Sequence, residues 1–208
     1  LELVTGENIQ NFKAFNARSI VEELCPMFNG RIYDYSAGYG GRMLGTCTSR
    51  MHYQYHCVEP NTQTVEYLTY LSSFLRSEIK INCTVSEEYE PEDIDLAFSS
   101  PPYFNLEKYC DEPTQCMVKY NTLDEWFEGY VEPTMQNIYK GLNTDGVFAT
   151  NIANYKTAKE EFEIVDRWIT TAKKVGFDYQ TVIKMLLTTR PGVGNFRKEG
   201  KTEKYEGI

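Results

Sequence analysis

Ser100, Pro101, Pro102 and Tyr103 set a hydroxyl, two rigid rings and an aromatic face at consecutive positions. Two successive prolines end any ladder or helix, because neither donates a backbone hydrogen bond and both fix φ. Such a corner can aim the Ser100 hydroxyl and nearby backbone carbonyls at a substrate NH₂ group. Tyr103 supplies a flat face on which a ring can stack. A Pro-rich structural turn would use the same residues, so context decides. The residues before the corner, Ile94-Asp95-Leu96-Ala97-Phe98, hold too few polar positions for an amphipathic helix. They read as a strand buried on both faces. The corner therefore lies at the carboxyl end of a central strand, where open α/β sheets bind ligands.

A second group lies upstream. Arg31 to Tyr35 reads as a strand, Ser36-Ala37-Gly38-Tyr39-Gly40-Gly41 as a glycine-rich turn, and Arg42 to about Ser49 as a helix. That unit brings a ligand close to backbone at a helix N-terminus. The spacing is G-x-G-G rather than G-x-G-x-x-G, and no Walker lysine follows, which disfavours dinucleotides and triphosphates. A strand over Tyr53 to Val58 ends in Glu59, about twenty residues past the glycines and placed to accept from ribose hydroxyls. A solvated or helix-capping carboxylate is the competing reading.

These groups need a scaffold. Ile20, Val21, Leu24 and Phe28 fall at helical spacing, with Asn16 as N-cap and Asn29-Gly30 as stop. A helix from Asn61 or Thr62 carries Val65, Leu68, Leu71 and Leu75, and Ile79 to Thr84 alternates like a strand. Leu123 to Leu142 reads as a long helix broken or restarted near Pro133. Asp145-Gly146 reads as a turn, Val147 to Ile152 as a buried strand, and Ala158 to Val175 as a helix closed by Gly176. Phe177 to Thr189 is strand-rich, and Lys204 to Ile208 starts a last strand. The alternation predicts one α/β domain over residues 1–208, its parallel sheet covered by helices on both faces. Pairing of the tail with Phe177–Thr189 would add an antiparallel edge strand. Residues 105–121 and 190–203 are the candidate substrate-recognition loops.

Composition bounds the function. The chain has 208 residues, sixteen of them tyrosine and eleven phenylalanine, and is globular rather than disordered. Neither a run of about eighteen apolar residues nor a charged-then-apolar leader is present, so no membrane segment or secretory signal is expected. The six cysteines form no C-x-x-C pair and read as reduced thiols. His52 and His56 fall in a strand-like run and make a poor metal pair. These features predict a cytoplasmic, metal-free protein. The formal charge of −9 argues against tight non-specific nucleic-acid binding, although Arg190, Arg197, Lys198, Lys201 and Lys204 form a basic tail.

Taken in order, the glycine turn, the acidic residue and S-P-P-Y closely resemble the S-adenosylmethionine-dependent DNA amino-methyltransferases. Asp34-Tyr35-Ser36-Ala37-Gly38-Tyr39-Gly40-Gly41-Arg42 is similar to their D-P-F-x-G-x-G motif, with Tyr35 and Ser36 as departures. Ser100-Pro101-Pro102-Tyr103 matches their catalytic [D/N/S]-P-P-[Y/F/W] motif. The run Phe98 to Tyr109 resembles phage- and mobile-element-type methylases, some partnered by restriction enzymes. The resemblance covers roughly Asn11 to Gly176. It implies a Rossmann-like class I methyltransferase, with a mostly parallel seven-stranded sheet and an antiparallel edge.

The resemblance also implies roles. Ser100, Pro101, Pro102 and Tyr103 would hold a flipped base of duplex DNA for in-line transfer to its amino nitrogen, cytosine N4 favoured over adenine N6. Asp34, Gly38 and Gly40 would line the methionine part of S-adenosylmethionine, Glu59 its ribose, and Ser86 or Glu87 its adenine. Phe15, from a segment resembling the motif that closes over the cofactor, joins Ser36 and Ser99 as further contacts. Asn151 and Asn154 could reach the target pocket, satisfied loop amides being the competing reading. Little chain remains for reading DNA sequence, so a partner subunit is one expectation. Ring-carbon methylation is excluded, because its nucleophile is a Pro-Cys cysteine and no Pro-Cys dipeptide occurs. The alternatives are an amino-methyltransferase acting on protein glutamine or RNA, and a catalytically inert methyltransferase-like subunit.

Overall fold

The computed structural model describes residues 11–104, 113–114, 116–157, 160–186 and 205–207. Five strands form one parallel sheet: β1 (Arg31–Asp34), β2 (Gln54–Val58), β3 (Ile79–Asn82), β4 (Ile94–Ser99) and β5 (Leu142–Thr150), in the order β3-β2-β1-β4-β5. The helices are α1 (Ala14–Leu24), α2 (Gly41–Cys47), α3 (Thr62–Ser72), α4 (Cys116–Lys119), α5 (Leu123–Trp126), α6 (Glu132–Gly141) and α7 (Val165–Val175). The chain runs from β1 outward to β3, then returns to the other side of β1 as β4. That reversal makes the carboxyl ends of β1 and β4 the switch point of the sheet.

Alternation along the strands splits the core. Ile32, Tyr55, Cys57, Leu96 and Phe98 pack with Ala17 and Val21 of α1 and Met43 of α2. Tyr33, Val58 and Ala97 pack on the other face with Ile138 of α6. Helices therefore cover both faces, as the alternating pattern predicts. A third cluster, with Trp126, Tyr130, Ile152, Phe162 and Trp168, extends beyond β5 and receives Phe104 just past the proline corner. Among the described residues no helix is long and apolar enough to cross a membrane.

Several boundaries differ from expectation. α1 starts at Ala14, with Lys13 rather than Asn16 at its N-cap, and ends at Leu24 ahead of Pro26. Asp145, at φ 65°, and Gly146 do not break β5; they sit where its register against β4 jumps from Ile94↔Leu142 to Leu96↔Val147. α7 begins at Val165, because residues 155–156 and 161–162 pair as a small antiparallel ribbon, β6 (Tyr155–Lys156) and β7 (Glu161–Phe162).

Among the described residues the sheet has five strands rather than the expected seven. The tail does pair antiparallel with the earlier strand-rich segment, as β8 (Lys184–Leu186) and β9 (Tyr205–Gly207), but as a sheet of its own. Phe177 explains part of this. Its ring packs on Tyr139 and Phe148 at 5.1 and 4.8 Å, and residues 178–183 stand off β5 across a cleft of about 830 Å³.

Candidate functional site

The glycine turn leaves β1 and the proline corner leaves β4, and the two strands are neighbours. The loops thus open on one mouth. Gly38 and Gly40 have φ of 53° and 78°, a left-handed conformation that side chains resist. A Cβ on Gly38 would meet nothing nearer than the Ser36 carbonyl at 4.0 Å, so open space lies beside this turn.

Asp34 is fully buried at the end of β1 and joins the two loops. Its Oδ1 accepts from the Ser99 hydroxyl at 2.6 Å and the Ser36 N–H at 3.2 Å. Its Oδ2 accepts from Arg42 Nε at 2.8 Å and the Tyr55 hydroxyl at 2.6 Å. A carboxylate offers about four lone-pair sites, and these contacts use them all. Asp34 therefore acts as an internal strut, and Ser99, fully buried and donating to it, acts with it.

Ser100, Pro102 and Tyr103 are half-buried, and Pro101 is buried. The Ser100 hydroxyl oxygen accepts from Asn151 Nδ2 at 3.3 Å. Asn151 is itself held by donating its N–H to the Ser99 carbonyl at 2.9 Å. The Tyr103 hydroxyl accepts the Ala153 N–H at 3.0 Å, and its ring stands edge-on to Tyr155 at 5.0 Å. The aromatic face is thus anchored at its tip without being sealed in the interior. The Asn154 Oδ1 accepts the first N–H of α7 at 2.9 Å.

Glu59 is buried at the end of β2 and accepts the Gly38 N–H at 2.9 Å and the Asn61 N–H at 3.0 Å. Burial raises its pKa, and those two N–H bonds only partly offset the shift. Ser86 and Glu87 lie in a short 3₁₀ turn against α6. The Ser86 hydroxyl pairs with Thr134 at 3.0 Å, Glu87 accepts from Lys119 at 2.7 Å, and the Tyr120 hydroxyl oxygen lies 2.9 Å from the same carboxylate.

Phe15 lies away from this group, 79% exposed on α1. Asn11 and Phe12, from the same segment, are the residues that pack against the start of α2. Asn11 Oδ1 accepts the Gly41 N–H at 3.1 Å, and the Phe12 ring meets Phe98 at 5.7 Å and the Arg42 guanidinium at 5.7 Å. A Cβ on Gly41 would overlap the Phe12 carbonyl. Gly41→Ala should therefore lift this arm and destabilise the protein by about 1–3 kcal/mol in urea unfolding. An unchanged midpoint would show that the arm is not seated there.

Sequence reasoning missed Tyr130. Pro133 has no N–H for the Gly129 carbonyl four residues back, and that carbonyl accepts the Tyr120 hydroxyl at 2.8 Å instead. The helix widens to a π turn over Phe127–Val131, which brings the Tyr130 hydroxyl to 3.1 Å from Ser36 Oγ. Burial pushes this phenol's pKa well up, so it stays protonated beside the glycine turn. The proline was the available signal, and the break expected near it is this widened turn. Of the two loops expected to recognise substrate, residues 113–114 and 116–121 of the first are described and include α4; the rest of it, and all of 190–203, lie outside the described residues.

No protein-family model matches the sequence, and none of the curated proteins matches it. Solved structures do. A TehB-like SAM-dependent methyltransferase from Corynebacterium glutamicum matches at TM-score 0.52 and 14% identity, over 85% of this chain and 77% of its own. Phosphoethanolamine N-methyltransferase 2 from Haemonchus contortus, in complex with S-adenosylhomocysteine, matches at 0.57 and 17%, over 82% of this chain and 38% of its own. Precorrin-6y C5,15-methyltransferase from Geobacter metallireducens matches at 0.56 and 11%, over 100% and 85%. The chain thus has the Rossmann-like methyltransferase fold. The [4+2]-cyclase SpnF shares it at 0.58 and 12% identity, so the fold alone does not name the reaction.

Proposed function

We propose that this protein transfers a methyl group from S-adenosylmethionine to the exocyclic amino group of a DNA base, cytosine N4 favoured over adenine N6. The observation that carries the reading is the 2.6 Å bond from Ser99 to Asp34, which ties the glycine turn and the S-P-P-Y corner into one mouth. The residues fit the cofactor. The turn has open space beside Gly38, and Glu59 keeps acceptor capacity beyond its two backbone donors. Ser36, Gly38, Gly40 and Tyr130 would flank the methionine part, Glu59 the ribose, and the turn at Ser86 and Glu87 the adenine. Bound there, S-adenosylmethionine supplies an already electrophilic methyl carbon, so the chain needs no covalent nucleophile.

The remaining work is positioning. Asn151 occupies one lone pair of Ser100, leaving its other lone pair and its hydroxyl hydrogen for the target. An amino hydrogen donates to that lone pair, and the Pro101 carbonyl takes the second. Tyr103 stacks on the extruded ring. The nitrogen lone pair is then free to face the methyl carbon, and the proton that the nitrogen sheds on methylation would leave along its hydrogen bond to the Ser100 hydroxyl, toward solvent at the mouth. Incubation with labelled S-adenosylmethionine and duplex DNA, RNA or protein extract tests the reading. Label should enter DNA and be lost in Tyr103→Ala. Label confined to protein or RNA would overturn the acceptor, and nucleoside digestion decides between the two bases.

Glu59 adds a pH dependence. With its pKa raised in the free protein, the carboxyl takes up a proton as pH falls through that raised value. A protonated carboxyl loses acceptor capacity for ribose hydroxyls. S-adenosylhomocysteine affinity should then weaken with falling pH, toward about tenfold per pH unit for one linked proton. Glu59→Gln should bind more weakly and remove that slope in calorimetric titrations.

A further inference from the structure

Arg42 stands second in α2 and is only 6% exposed. The position is doubly unfavourable for a cation, which is both removed from water and set at the positive end of a helix. Its contacts account for its being there. Arg42 Nε donates to Asp34 Oδ2 at 2.8 Å, and its terminal nitrogen donates to the Ser36 carbonyl inside the glycine turn. Asp34 in turn receives Ser99 of β4 and the Ser36 N–H. The Ser99 carbonyl receives Asn151, which bonds Ser100. A continuous chain of contacts thus runs from the glycine turn through Asp34 to the Ser100 hydroxyl; Asp34 is its branch point, and the Arg42 fork adds a second tie between Asp34 and the Ser36 carbonyl.

We propose that Arg42 is a positioning residue that holds the glycine turn and the Ser99-Ser100-Pro101-Pro102 corner in register through Asp34. It fixes the separation at which a methyl donor and its acceptor face each other, and the inference rests on the function proposed above. A guanidinium can satisfy the carboxylate and the carbonyl together, because its donors form a rigid fork. An ammonium keeps the charge opposite Asp34 and lacks the fork. Lysine at this position separates charge pairing from geometry.

The test measures S-adenosylhomocysteine binding by calorimetry, and urea unfolding, for the wild-type chain, Arg42→Lys and Gly45→Ala. Gly45 is a control outside the mouth, where a Cβ would press on the Ala14 carbonyl and Ala17 and loosen α1 from α2. Arg42→Lys should remain folded and bind S-adenosylhomocysteine about 10–100-fold more weakly, the size of effect that losing one hydrogen bond from a charged donor to the turn produces. Gly45→Ala should lose stability yet bind within twofold of wild type. Binding by Arg42→Lys within threefold of wild type would overturn the proposal, as would an equal loss in Gly45→Ala. If the wild type binds S-adenosylhomocysteine but labels no DNA, the acceptor assignment fails and the Arg42 result still stands or falls by its own ratio. If the wild type does not bind it, both fall.

Discussion

Asp34→Ala is expected to be the most destabilising single substitution in the site, costing about 3–5 kcal/mol in urea unfolding. The carboxylate is fully buried and accepts from Arg42, Tyr55, Ser99 and Ser36. Its removal strands a guanidinium that is itself only 6% exposed. Stranding a buried charge costs far more than losing a hydrogen bond between neutral groups, which is worth about 1 kcal/mol. The loss should show as a lower midpoint at unchanged slope. Asp34→Asn keeps the shape and part of the hydrogen bonding, and it should fall between the two. A midpoint shift equivalent to under about 1 kcal/mol for Asp34→Ala would mean that Arg42 finds water or another anion.

Ser100→Ala should lower kcat by about 10²–10³-fold, the range measured for one preorganised hydrogen bond to a reacting group. Ser100 lies at the mouth, half-buried, so its loss leaves the fold and the glycine turn intact. The KM for S-adenosylmethionine should stay near the wild-type value, and the loss should fall on kcat. The neighbouring Asn151 sharpens the expectation. Its Nδ2 orients the Ser100 hydroxyl at 3.3 Å, so Asn151→Ala should cost less than Ser100→Ala, and the two losses should not add. Retention of kcat within about threefold by Ser100→Ala would remove the serine from the chemistry.

Much of the site was legible because its signals are local. Two prolines after an apolar run mark a strand end wherever the chain goes, and glycines at Gly38 and Gly40 mark a left-handed turn. The βα order then brings β1 and β4 together at a switch point. The roles of individual side chains were less legible. Asp34 looks like a ligand contact in sequence, and its saturation by four donors depends on residues up to 65 positions away. Phe15 and Phe12 share a segment and a residue type, yet only Phe12 reaches Phe98 and Arg42. Which ring turns inward depends on where α1 begins.

The sequence by itself determined that strands and helices alternate and where the two chemical corners lie, because apolar periodicity, glycine φ and proline geometry act within a few residues. Only the tertiary structure decided that Arg42 joins Asp34 to the Ser36 carbonyl, that a π turn brings Tyr130 to Ser36 across 94 positions, and that the described sheet has five strands. Those outcomes depend on which buried polar groups meet and which rings pack. Both are settled by close contacts between distant segments, and no local pattern encodes them.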